Sequence, residues 1–257
     1  MTFQNAVHEG VRHVIVENFG GGTITIEPGP VSESVESSLN AVDEAYLTEV
    51  STRQDHDRLR FSFPAQFFRS TPAHLRLGVP AGLTYSIKAG SADISISADI
   101  GRSKIVSGSG DISVGRAVDL ECSTGSGGVS VAQVDGRSAT VTSGSGDVTV
   151  DTATCPITAK SASGDVVIRT VRQGALRASS GSGDIAVNDT SGSVDLRSAS
   201  GSLTIGVADL LPAWLDLSSV SGDIRIALES TAPPEPGTAY VTIRARTASG
   251  DIAVYRA

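Results

Sequence analysis

Aspartates at a regular interval are the feature of this chain most suggestive of chemistry. Asp93, Asp111, Asp147, Asp165, Asp184, Asp223 and Asp251 each follow Ser-Gly or Ser-Ala and precede a short apolar-x-apolar run, and Gly128 and Ser202 take the Asp place in two further copies. If every copy is one turn of a coil, Asp147, Asp165 and Asp184 stand about 5 Å apart in a row. Such a row of oxygen ligands could hold Ca²⁺. Three observations favour a plainer role as turn residues. The row is broken at Gly128 and Ser202, known Ca²⁺-binding β-rolls use a shorter nonapeptide repeat, and neighbouring carboxylates repel by only about 1 kcal/mol in water. A cation is therefore not required, and the Asp147, Asp165, Asp184 ladder stays as the minor reading.

Other chemistry is harder to build. His8, His13, His56 and His74 all lie in the first third, with no Cys or second His at zinc-ligand spacing. The serines have no nucleophile elbow and no accompanying acid or base. Ser-Gly-Ser-Gly-Asp lacks the Lys-Ser/Thr of a phosphate loop and precedes a strand, not a helix. No catalytic residue, cofactor or metal is assigned, and the expectation is a protein that is not an enzyme. Cys122 and Cys155 fall two repeats apart at different offsets. That separates them by roughly 10 Å, beyond disulfide reach, and suits a reducing compartment.

The elements that position these residues are plain once the copies are aligned. Successive Asp positions are 18, 17, 19, 18, 19, 18, 21 and 28 residues apart. After each turn the pattern runs apolar, small or polar, apolar, as in Ile112/Val114, Val148/Val150, Ile185/Val187, Ile224/Ile226 and Ile252/Val254. This is a strand with one buried face. A second strand precedes each turn, with inward residues such as Leu120/Cys122, Ala139/Val141, Leu176/Ala178, Leu215/Leu217 and Ile243/Ala245. Lys104, Glu121, Thr140, Lys160, Arg177, Asp195, Asp216, Arg244 and Arg246 point to water. The fold class is all-β, a parallel β-solenoid with coils of about 18 residues, in which each coil buries its apolar rows only by stacking on the next. Ser two places before the Asp position in all nine copies, and Gly one place before in eight, predict a tight corner with a left-handed or otherwise restricted backbone.

Residues 1–84 read as an irregular β-rich N-terminal cap with a divergent first coil, and 85–257 as the repeats. Val14, Val16, Ile24 and Ile26 mark the first coil. A hairpin is expected from Ala45–Val50 through Gln54–Asp57 to Leu59–Phe63, with Phe67, Phe68 and Leu75 adding bulk. The spacing of 28 is absorbed by a Pro-rich surface loop at 230–237, and Trp214 is expected over the seam. The last strand, Asp251–Ala257, has nothing after it to cover it, so the C-terminal coil is predicted to engage a protein partner or a second copy.

The formal charge of −8 disfavours nucleic acid and anionic lipid as main partners. The opening residues lack the charged and apolar regions of an export signal, and no apolar run is long enough to span a membrane. A cytoplasmic location follows as the expectation.

The Val-Ile-Val-Glu-Asn-Phe-Gly-Gly opening (14 to 21), Leu-Gly-Val-Pro-Ala-Gly-Leu (77 to 83) and the serial Ser-Gly-Ser-Gly-Asp-Ile/Val turns together resemble the DUF4097 family of bacterial β-strand-repeat proteins, often labelled putative adhesins. The resemblance implies the solenoid fold and carries the adhesin label, and rigid parallel faces displaying short polar side chains suit a non-enzymatic, adhesin-like binding or scaffold protein. The alternatives are a self-assembling structural protein of bactofilin type and a Ca²⁺-binding repeat protein.

Overall fold

A computed structural model describes residues 2–29, 33–64, 72–209, 211–229 and 240–257. They fall into two compact units, Met1–Val129 and Ser130–Ala257. Both contain parallel coils stacked one on the next.

In the first unit, β1 (Thr2–Glu9), β2 (His13–Pro28), β3 (Ser34–Ala41), α1 (Glu44–Glu49), β4 (Ser51–Asp55), β5 (Arg58–Ser62) and β6 (Pro72–Val79) lead into β7 (Thr84–Ile100). Then come β8 (Ser103–Ser107), β9 (Ile112–Ala117) and β10 (Leu120–Thr124). β7 supplies both arms of one coil, pairing Ile87 with Ile105 of β8 and Ile94 with Ile112 of β9. β2 repeats the arrangement one coil earlier, with Val14 beside Tyr85 and Ile24 beside Ile94. The expected first coil is present, and Val14, Val16, Ile24 and Ile26 are fully buried.

The other edge of β2 is taken by β5 along 13–17 and by β6 along 21–28, both parallel. β3 and then β1 extend the sheet antiparallel. The β4–β5 hairpin turns at His56, whose φ of 53° is the left-handed region. One expectation is corrected here, because residues 44–49 form α1 and not the first hairpin strand. Asp43 caps that helix by accepting from the Ala45 N–H at 3.0 Å. Glu, Ala and Leu then favour helix, and Tyr46 and Leu47 are buried from one side of it. Leu75 is buried in β6, whereas Phe67 and Phe68 lie outside the described residues.

β11 (Val129–Val134) begins at the last residue of the first unit. The second unit continues with β12 (Ala139–Ser143), β13 (Val148–Ala153), β14 (Ile157–Ser161), β15 (Val166–Val171), β16 (Ala175–Ser180), β17 (Ile185–Thr190), β18 (Ser193–Ser198) and β19 (Leu203–Val207). Two parallel ladders result. One carries Val141, Ala159, Ala178 and Leu196 in register through β12, β14, β16 and β18. The other carries Val148, Val166, Ile185 and Leu203 through β13, β15, β17 and β19. These side chains are 0–3% exposed, because each coil covers the apolar row of its neighbour.

Chain order and spatial order then part. β20 (Ala213–Ser219) and β21 (Ile224–Ala227) are followed by β22 (Val241–Thr247) and β23 (Ile252–Arg256). β22 pairs with β18 on one edge and β20 on the other, and β23 lies likewise between β19 and β21. The last coil in the chain is thus second to last in the stack. This overturns the expectation that the C-terminal strand is the open one. The long spacing before Asp251 lets the chain skip a coil and return. The Pro-rich stretch 230–237 that makes up much of that spacing lies outside the described residues.

Among the described residues β20 and β21 each pair on one edge only, and Ile224 and Ile226 of the inward row are 43% and 52% exposed. Trp214 does not cover the seam. Leu215 and Leu217 face inward, so strand alternation turns Trp214 outward, where it is 53% exposed.

Candidate functional site: turn ladders and an outward cationic face

The aspartates of the turn motif are joined to one another through the backbone. Asp93 Oδ1 accepts from the Asp111 N–H at 3.0 Å and Asp111 Oδ1 from the Gly128 N–H at 2.8 Å. In the second unit Asp147 accepts from Asp165 (2.9 Å), Asp165 from Asp184 (2.8 Å), Asp184 from Ser202 (2.8 Å) and Asp251 from Asp223 (2.9 Å). Each carboxylate therefore satisfies an amide at the corner of the adjacent coil, the charge-assisted bond expected of a turn Asp. One oxygen of Asp147, of Asp165 and of Asp184 is used in this way. No group of three or more His, Cys, Asp or Glu among the described residues is placed to hold a metal ion.

A second ladder had gone unread in the sequence. Four places before each Asp position stands Ser107, Thr124, Ser143, Ser161, Ser180, Ser198, Ser219 or Thr247, with Ala89 as the exception. The hydroxyl of Ser180 accepts from the Gly183 N–H at 2.9 Å and donates to the Gly164 carbonyl of the preceding coil at 3.0 Å. Ser161, Thr124 and Thr247 make the same pair of bonds. The hydroxyl recurs in eight of nine copies, so the signal was available. It was hidden among the many other serines.

The corner glycines are fixed by contact and not by handedness, a correction to the left-handed expectation. None of them is among the described residues with positive φ. A Cβ on Gly183 would lie 2.1 Å from the Gly164 carbonyl oxygen, and one on Gly250 would lie 2.0 Å from that of Gly201. Coils stack too closely at these two corners for a side chain, although Ala92 fits the same place in the first copy.

The histidines are dispersed. His8 meets Ser37 Oγ at 3.1 Å, His74 Nδ1 meets Thr23 at 2.8 Å, and His56 pairs with Asp55 on the surface. His13 contacts Thr84 Oγ1 in a half-open cleft of about 580 Å³ that also presents Arg12, Arg58, Asp57 and Glu33. Burial, with the Arg58 charge, lowers the His13 pKa against the opposing pull of Asp57, leaving a recess of balanced charge. Cys122 and Cys155 are buried and neither is in a disulfide. Desolvation pushes the Cys122 thiol up to about 12, so it is inert as a nucleophile.

The most distinctive surface is the outward face of β14, β16, β18, β22 and β20. Register places Thr158, Arg177, Asp195, Arg244 and Asp216 side by side in one row. Two residues further along lie Lys160, Ser179, Arg197, Arg246 and Ser218. Asp216 accepts from Arg244 at 2.9 Å and from Arg246 at 3.2 Å. The Arg244 hydrogen bond in particular holds its carboxyl below the usual range. Arg197 pairs with Asp195 at 3.1 Å. Arg177 and Lys160 make no ion pair among the described residues. Trp214, beside Thr242 on the same face, is exposed. The outward residues were each legible in the sequence, but their gathering into one patch was not, because they are spread over nearly ninety residues.

Close-packed coils, locked at the corners by side-chain bonds to the backbone, define a parallel β-solenoid repeat protein. The chain belongs to the DUF4097 (Toastrack) family, whose model matches residues 49–255. Among solved structures it is similar to a putative adhesin from Bacteroides fragilis, at 12% identity over 98% of this chain and 97% of that one, with a TM-score of 0.51. It is similar also to a putative lipid binding protein from Parabacteroides distasonis, at 13% identity over 98% and 96% of the two chains, with a TM-score of 0.51. Likeness at this identity extends to the fold alone. No curated protein matches the chain.

Proposed function

We propose that the chain is a non-enzymatic binding module of adhesin-like type, which presents a rigid sheet face to a protein or glycan. One observation carries this reading. Five cations, two carboxylates and an exposed indole are held at fixed spacings on the face of β14, β16, β18, β22 and β20, on strands whose backbone is locked coil to coil. Rigid side-chain arrays bind with little ordering cost. The test is an array of purified proteins and glycans probed with the intact chain and with an Arg177→Glu/Lys160→Glu variant. Selective binding lost in the variant supports the reading, and binding that the variant retains in full overturns it. Fractionation decides on which side of the membrane the chain meets its ligand.

A second reading, association of two copies, rests on the single-edged pairing of β20 and β21. A two-fold axis at Ile224 would set Arg225 of one copy against Asp223 of the other, completing the open ladder in a closed dimer and not a polymer. Sedimentation velocity across concentration tests it. A monomer throughout removes it.

A further inference from the structure

The outward face of the second unit carries a charge opposite to that of the chain as a whole. Lys160, Arg177, Arg197, Arg244 and Arg246 against Asp195 and Asp216 leave it at +3, in a molecule of formal charge −8. A patch that inverts the overall sign selects for an anionic ligand and steers it locally. The cations also differ in how they are held. Arg197, Arg244 and Arg246 are fixed by Asp195 and Asp216, whereas Arg177 and Lys160 stand in the same two rows without an ion pair among the described residues. Trp214 closes the array at its β20 end with its indole open to solvent.

The spacing matters as much as the sign. Strands β16, β18, β22 and β20 succeed one another at about 4.8 Å, so Arg177 and Trp214 are separated across the sheet by three coil steps. That step is close to the length of one sugar unit in an extended glycan. Planar guanidinium groups match carboxylates in two-point contact, and an exposed indole offers a flat apolar plate to the C–H face of a sugar ring. A ligand that satisfies both is a chain of rings bearing carboxylates at regular intervals. An acidic peptide would use the cations and leave the indole idle.

We propose that this face binds an acidic polysaccharide of uronate type. Carboxylates meet Arg177 and Lys160, the two cations of the rows with no ion pair among the described residues, and one sugar ring stacks on Trp214. The proposal rests on the binding-module reading above and gives that module its ligand class.

Trp214 is the sole tryptophan of the chain, so its fluorescence reports occupancy of the face directly. The experiment titrates the intact protein with oligogalacturonate, neutral dextran and polyglutamate at low and at raised salt, following Trp214 emission. Calorimetry is run in parallel on Trp214→Ala and on Arg177→Glu/Lys160→Glu. The expected result is a saturable change in emission with oligogalacturonate that weakens as salt rises, and none with dextran. Affinity should fall at least tenfold in both variants, while their melting temperatures stay near that of the parent because all three side chains are exposed. Polyglutamate binding as tightly as oligogalacturonate, with the Trp214→Ala variant unaffected, overturns the glycan assignment in favour of an acidic peptide. No binding of oligogalacturonate, alongside array binding that the Arg177→Glu/Lys160→Glu variant loses, overturns the ligand class and leaves the module reading standing. No ligand in either assay overturns both.

Discussion

Two coils of the second unit share the same corner motif and differ in what surrounds them. β22 and β23 enclose the turn Thr247-Ala-Ser-Gly-Asp251, and β20 and β21 enclose Ser219-Val-Ser-Gly-Asp223. Both corners use the same hydroxyl lock, with Ser219 and Thr247 each bonding their own glycine and the carbonyl of a neighbouring coil. Yet Ile252 and Val254 are 0% and 1% exposed, while the equivalent Ile224 and Ile226 are 43% and 52% exposed. The motif fixes the shape of a coil, but its burial comes from having a coil on both sides. In the first unit, by contrast, the outer edge of β2 is occupied by β5 and β6.

The comparison can be broken most forcefully at the corner glycines. Gly250→Ala puts a Cβ 2.0 Å from the Gly201 carbonyl, and Gly222→Ala puts one 2.0 Å from that of Gly250. The collisions are alike, but the outer coil has an edge, unpaired among the described residues, along which to yield. Gly250→Ala is expected to cost about 3 kcal/mol or more in thermal or urea unfolding, and Gly222→Ala clearly less. Equal losses would show that the end coil is held as firmly as the interior one. Gly115→Ala, whose nearest neighbour would lie at 3.4 Å, serves as the mild control.

Truncation of the inward row should be the next largest effect. Ile252→Ala should destabilise by about 2–5 kcal/mol and Ile224→Ala by about 1 kcal/mol or less, since the second removes a half-exposed side chain. Similar values would mean that something covers Ile224 in solution. Smaller still is the hydroxyl lock. Thr247→Val keeps the shape while removing the bonds to Gly250 N–H and Gly201 C=O. It should cost about 1–3 kcal/mol, with faster amide exchange at Gly250, and protection left unchanged there would show the lock to be dispensable. The smallest effect is expected in the first unit. Tyr85 is buried with a hydroxyl that has no hydrogen-bond partner among the described residues, and burial raises its pKa. Tyr85→Phe should be neutral or stabilising within about 1 kcal/mol, and a clear loss would reveal a partner for that oxygen.

The repeats were legible because strand alternation and corner composition are local properties. Ile112/Val114 and Leu176/Ala178 point inward whatever lies above them, and the alignment of Asp positions gave their register directly. Coil order was not local. Nothing in Asp223–Ile226 distinguishes an end coil from an interior one, so only pairing revealed that residues 241–256 slip beneath it. The roles within the turn were half legible, with Asp read correctly as a turn residue and Gly given the wrong reason. Helix α1 escaped because the alternation of Ala45, Leu47 and Glu49 around a short stretch suits strand as readily as a single capped turn of helix. The cationic face is a property of register, visible only when Lys160 and Arg246 stand in one row.

The displaced final coil also sets the order of events as the chain is made. β20 and β21 emerge before the strands they rest upon, so assembly can advance coil by coil as far as β18 and β19 and must then wait. When β22 and β23 arrive, a single insertion seats two coils together, and neither of them has a complete ladder without the other. The last steps of folding are therefore coupled, and any break within β22 or β23 strips the stack back to Leu203 and Ile205 at once.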